Sequence, residues 1–127
     1  MLFSRLLLSS ALLFSLTHAT ESLAAVLNET KAIEFLGKKI TQSKVYGEAP
    51  QTDCLRFYTE GKTRQYFDIR VYEKHGEECA MESEKPEIED RFRVYRKSHK
   101  VLWRKPESED FLSFNRFIIF KTAKHTK

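Results

Sequence analysis

The stretch "CLRFYTEGKTRQYFDIRVY", residues 54–72, decides the fold. Leu55 and Phe57 alternate with Arg56 and Tyr58, and Phe67, Ile69 and Val71 alternate with Tyr66, Asp68, Arg70 and Tyr72. A period of two sends one set of side chains to one face of a sheet and the other set to the opposite face. The intervening "EGKT" is turn chemistry, so the stretch predicts an antiparallel hairpin. Downstream, Phe92 and Val94 alternate with Arg91, Arg93 and Tyr95, "KSHK" turns the chain and "VLW" leads back. The core partner in that return strand is either Leu102 or Val101 with Trp103, because a one-residue slip exchanges the faces.

Upstream, Leu23, Val26, Leu27, Thr30, Ile33, Leu36 and Ile40 recur at steps of three and four, the stripe of an amphipathic helix. Gly47, Pro50 and Asp53 then break it. The expected fold is α+β, with one N-terminal amphipathic helix packed on a four-stranded antiparallel meander. Each strand offers a single apolar face, and the helix is its cover. Leu55, Phe57, Phe67, Ile69, Val71, Phe92 and Val94 would form the covered face. The C-terminal run from Phe111 to Phe120 is too apolar to float freely, and within residues 106–127 it either adds an edge strand or packs as a short segment.

The first residues read as an export signal. Arg5 precedes the apolar run "LLLSSALLFSL", and Thr17 and Ala19 stand where a signal peptidase requires small residues. Cleavage after Ala19 would leave a single soluble domain, residues 20–127, with no later segment apolar enough to span a membrane. Cys54 and Cys79 are the two cysteines, and an even pair in an exported chain is expected to form a disulfide. Closing a loop of about 26 residues would contribute ~3 kcal/mol in the chain-entropy view.

The net charge is +4, unevenly placed. Glu77 to Asp90 is an acidic block and Arg91 to Lys105 a basic one. By strand parity Arg56, Tyr58, Tyr66, Arg70, Tyr72, Arg91, Arg93 and Tyr95 point away from the helix, giving a basic surface interleaved with phenol rings. Tyr and Arg are enriched at protein interfaces, and Arg suits anionic ligands. Arg56, Tyr58, Arg70, Tyr72, Arg93 and Tyr95 are therefore the candidate binding residues, for a protein or an anionic envelope ligand. Nucleic acid would fit by charge, but export makes it a poor partner.

Chemistry has thinner support. His75, beside Cys79, could act as an acid or base, with Asp68 and Arg70 as companions. Their alternation with aromatics is equally that of an ordinary solvent-facing strand. His99 and His125 fit no zinc spacing, and there is no phosphate loop, nucleophile elbow or HExxH. The acidic loop lacks the calcium-loop spacing, so neither a metal nor another cofactor is expected. Asn28-Glu29-Thr30 matches a glycosylation sequon inside the expected helix.

Residues 43–103 carry a "YG" before the first cysteine (Tyr46, Gly47, Cys54), Arg70 and His75 before Cys79, Pro86 in the loop, and "DRFRVYR" leading to Leu102 and Trp103. This pattern resembles a group of small exported bacterial proteins of unassigned activity. The last hairpin is also similar to the PepSY module, whose exported members include restrainers of peptidases, with Ser98-His99 where that module has a Gly. The resemblance implies a PepSY-like or cystatin-like layout and supplies no catalytic residues. The expected function is a non-enzymatic periplasmic or secreted binding protein, of the inhibitor or immunity type, partnering an envelope or secreted enzyme. The alternatives are a small enzyme acting on envelope polymers through His75, and a structural envelope component docking through its apolar C-terminal segment.

Overall fold

A computed structural model describes residues 25–47, 54–73 and 88–124. Two helices and five strands follow in the order α1 (Glu29–Ser43), β1 (Leu55–Lys62), β2 (Tyr66–Glu73), β3 (Glu89–Tyr95), β4 (Val101–Arg104), β5 (Phe111–Ser113) and α2 (Phe114–Lys124). The strands form one open antiparallel sheet in chain order, β1-β2-β3-β4-β5. The chain is thus α+β with an antiparallel sheet, and the described residues hold five strands and two helices where four and one were expected.

The difference has a local cause. Phe111–Ser113 is too short to display alternation, and its pairing with β4 (Trp103↔Leu112, Arg104↔Phe111) is a tertiary fact. Phe114 and Phe117 then recur at a helical step and are buried, so the rest of the apolar run coils as α2.

Helix α1 also begins later than the stripe suggested. Asn28 is its N-cap, with the side-chain oxygen accepting from the Lys31 amide at 2.8 Å, and Glu29 complements the dipole in the first turn. Val26 and Leu27 therefore precede the helix. Val26 is exposed, whereas Leu27 is buried and docks in extended form on the β3–β4 turn, its amide donating to the Arg96 carbonyl at 2.9 Å. The buried helical positions are Ala32, Leu36 and Ile40, a strict four-residue stripe. Lys44 ends the helix in the left-handed region.

Phe67, Ile69, Val71, Phe92 and Val94 are buried on one face, with Leu55 at its end and Phe57 partly buried against them. In β4 it is Val101 and Trp103 that turn inward, which resolves the register left open by the sequence. Phe117 is the hinge of the aromatic core. Its ring meets Phe92 edge-on at 4.9 Å and lies 5.5 Å from Trp103 and 5.3 Å from Phe114. Such contacts each contribute ~0.5–1.5 kcal/mol beyond area burial.

Two turns depart from simple hairpins. The first strand runs on through Lys62, past most of the expected "EGKT" turn, because a bulge between Thr59 and Gly61 absorbs the extra residue. The Thr63 hydroxyl then accepts from the amides of Gln65 and Tyr66 to close the turn. In the β3–β4 turn His99 sits at φ 60°, where glycine is favoured, and its ring is held by the Ala25 carbonyl at 2.9 Å and the edge of Phe35.

Candidate functional site

The residues singled out by parity lie together on the sheet face opposite the helices. The strand register arranges them in rows across the sheet. Arg56 pairs with Tyr72 and that with Glu89; Tyr58 pairs with Arg70 and that with Arg91; Asp68 pairs with Arg93 and that with Leu102; Tyr66 pairs with Tyr95. Tyr58 and Tyr72 are the exposed large aromatics here, at 56% and 38% of full accessibility.

The face is less basic than the sequence pattern suggested, because it carries its own acids. Arg93 lies in the Asp68 carboxylate as a two-pronged pair, Nε to Oδ1 at 2.8 Å and Nη2 to Oδ2 at 3.0 Å. Its guanidinium is also sandwiched between the rings of Tyr66, 3.8 Å from the centroid, and Phe111, 4.2 Å. Hydrogen bonding to Asp68 holds the Arg93 charge above its ordinary pKa against the opposing effect of burial. Glu60, placed by the β1 bulge, reaches Arg91 at 3.1 Å and Glu89 reaches it at 3.3 Å. Arg104 is held by Glu109 at 2.8 Å and by the Ser108 carbonyl at 3.0 Å.

Arg70 differs from its neighbours. Its contacts with Glu60 and Glu89 are long, 3.7 and 4.0 Å, and its Nε is buried without a hydrogen-bond partner. The guanidinium lies between two exposed rings, 5.6 Å from Tyr58 and 5.4 Å from Tyr72. Among the half-buried arginines of this face it is the one whose donors are least satisfied by the protein itself. Comparison with protein-family models, curated proteins and solved structures returns no match. The chemistry of this face therefore rests on its own residues.

The remaining candidates divide in two. His75, Cys79 and His125 lie outside the described residues, as does the expected export segment, residues 1–19. Cys54 is buried at the start of β1. Asp68, the companion proposed for His75, has both oxygens accepting from Arg93, which suits a scaffold role. Among the described residues no cluster of three or more His, Cys, Asp or Glu is placed to hold a metal ion, and no helix is long and apolar enough to cross a membrane.

One polar cluster went unnoticed in the sequence and belongs to the covered face. Asp90 is 3% exposed, yet it accepts from Trp103 Nε1 at 3.1 Å, from the Tyr46 hydroxyl, and from Lys121 Nζ at 2.9 Å. Burial, with the Asp90 charge and hydrogen bond adding to it, pushes the Tyr46 phenol far above its ordinary pKa. The phenol therefore stays a donor. The available clue was parity, since Asp90, Phe92 and Val94 share one side of β3.

Proposed function

We propose that this chain is a non-enzymatic binding protein of the periplasm or extracellular space. A protein partner would be held against the open sheet face, centred on Tyr58, Arg70 and Tyr72. What supports the reading most is Arg70, a planar cation with an unsatisfied buried donor, framed by two exposed phenol rings. Arg and Tyr in that arrangement are the residue types that dominate interface energetics when water is excluded around them. Arg91, Arg93 and Arg104 are balanced by Glu60, Asp68, Glu89 and Glu109, so the face carries alternating signs instead of a single-signed field. Alternating charge suits the register of a protein surface better than a polyanion. An inhibitor or immunity-type role, directed at an envelope or secreted enzyme, is the form of binding this compartment and size suit.

Export itself is part of the proposal, supported by the leader pattern before Ala19, and so is a bridge between Cys54 and Cys79. Intact mass of the mature material under non-reducing conditions tests both. The expected chain begins after Ala19 and gains two alkylated thiols only after reduction.

Affinity capture from an envelope extract, comparing the native protein with Arg70→Ala and with Tyr58→Ala/Tyr72→Ala, tests the site. The expected result is loss of a specific partner in both variants with the melting temperature unchanged. An identical set of partners in all three samples would remove the open face from consideration.

A further inference from the structure

A second surface lies at the β5 edge, where β4, β5 and α2 enclose a groove of about 450 Å³. Trp103, Leu112, Ile119 and Phe120 form most of its wall, and Lys105 and Arg116 supply its polar part. No acidic residue lines it. Ile119 is 59% exposed although it is among the most apolar side chains of α2. The two cations also contrast with Arg91, Arg93 and Arg104 of the sheet face, each of which has a carboxylate partner. Arg104, one residue before Lys105, is held by Glu109, whereas neither Lys105 nor Arg116 forms an ion pair among the described residues.

An apolar wall accompanied by uncompensated positive charge selects for one kind of ligand. An apolar molecule alone would leave the cations unused, and a small anion alone would leave the wall exposed to water. We infer that the groove binds a single-chain amphiphile with an anionic head. Its hydrocarbon tail would lie along Trp103, Leu112, Ile119 and Phe120, and its head would meet Lys105 and Arg116. The volume falls within the ~300–1,000 Å³ range of small-molecule sites. Lys and Arg hold carboxylate and phosphate heads alike, Lys as a point charge and Arg as a fork. This site is separate from the open face and does not depend on the function proposed for it.

Trp103 is the single tryptophan of the chain and lies beneath the groove at 1% exposure, so its emission reports occupancy through the packing of Leu112 and Phe120 over it, and calorimetry measures binding in parallel. The intact protein is titrated below micellar concentration with dodecanoate, dodecyl phosphate and dodecyltrimethylammonium, which share one tail and differ in head. The expected result is a saturable change with the two anions and binding at least about tenfold weaker for the cation. Whichever anion binds more tightly identifies a free fatty acid or a phospholipid-type head as the better ligand. Lys105→Glu/Arg116→Glu should weaken dodecanoate binding about tenfold or more. Arg70→Ala should leave it unchanged. The inference is overturned if no saturable binding is seen by emission or calorimetry. Equal binding of the cationic amphiphile, or indifference to the double charge reversal, overturns it as well.

Discussion

The two faces of this sheet handle charge in opposite ways. On the covered face the Asp90 carboxylate is withdrawn from water and surrounded by donors from three other segments: Tyr46 after α1, Trp103 in β4 and Lys121 in α2. On the open face four arginines, Arg70, Arg91, Arg93 and Arg104, and their acids are spread across the strands at partial exposure, with Glu60 and Glu89 shared between Arg70 and Arg91. The buried arrangement is indispensable in its parts, since removing one member strands the others in a medium that cannot solvate them. The open arrangement is forgiving, because water replaces whatever is lost. A surface tolerant of substitution is therefore backed by a core that is not.

The contrast is tested most severely at Asp90. Replacing it with Ala leaves the Trp103 N–H, the Tyr46 hydroxyl and the Lys121 ammonium without their common acceptor, and should cost ~3–5 kcal/mol. That is a large part of the ~5–15 kcal/mol available to a domain. Urea denaturation followed by circular dichroism measures it. A loss below about 1 kcal/mol would mean the carboxylate is solvated and the contrast between faces is wrong.

The same cluster gives the protein an alkaline limit. The folded-state pKa of Tyr46 lies above that of the unfolded chain, which ionises near ~10. Its contribution is complete below that pH and declines as pH rises further, because the unfolded chain releases a proton the folded one retains. The slope from this one group is at most ~1.4 kcal/mol per pH unit. Subtracting the stability profile of Tyr46→Phe from that of the native protein between pH 9 and about 11.5 isolates it from the other tyrosines and lysines, which titrate in both. A difference that stays flat through that window would show that the phenol ionises freely in the folded state.

How much of this was legible in the sequence follows from what each feature depends on. Period-two patterning depends on neighbours within one strand, so the faces of β2 and β3 could be read directly, Phe67, Ile69 and Val71 against Tyr66, Asp68, Arg70 and Tyr72. The balance of charge on the open face could not. Asp68 and Glu89 follow parity, but Glu60 arrives beside Arg91 through a bulge that no residue count predicts. Asp90 reads as the end of an acidic block until it is aligned with Phe92 and Val94. The partnership of Tyr46 and Lys121 with it spans segments far apart in the chain, and no local pattern encodes that. An edge strand was one of two alternatives for the C-terminal run, and the sequence could not place β5 because three residues cannot establish a period and the phenylalanines on either side of the strand-to-helix switch look alike.

Within the open face itself Arg93 and Arg70 should separate. Arg93→Ala removes a two-pronged ion pair and two ring contacts and should cost ~1–2 kcal/mol. Arg70→Ala removes only long contacts and should change stability by less than ~0.5 kcal/mol. Parallel thermal melts of the two variants compare them. Equal losses would indicate that Arg70 is as deeply committed to the scaffold as Arg93, and would weaken its assignment as the centre of the binding surface.

The smallest expected effect is a gain. Gly37 lies inside α1 where the helix passes over β1, and a Cβ built there would meet the Phe57 ring at 3.5 Å. That is ordinary van der Waals contact, so the approach of helix to strand does not require glycine at this position. Alanine in a helix interior is favoured over glycine by ~0.5–1 kcal/mol, chiefly through the unfolded chain's lost freedom. Gly37→Ala should therefore raise the urea midpoint slightly, with the slope unchanged and Phe57 gaining a neighbour. If it lowers the midpoint instead, the helix is pressed against β1 more closely than this spacing implies. The covered face would then be overpacked at its β1 end, and its intolerance of change would extend beyond the Asp90 cluster.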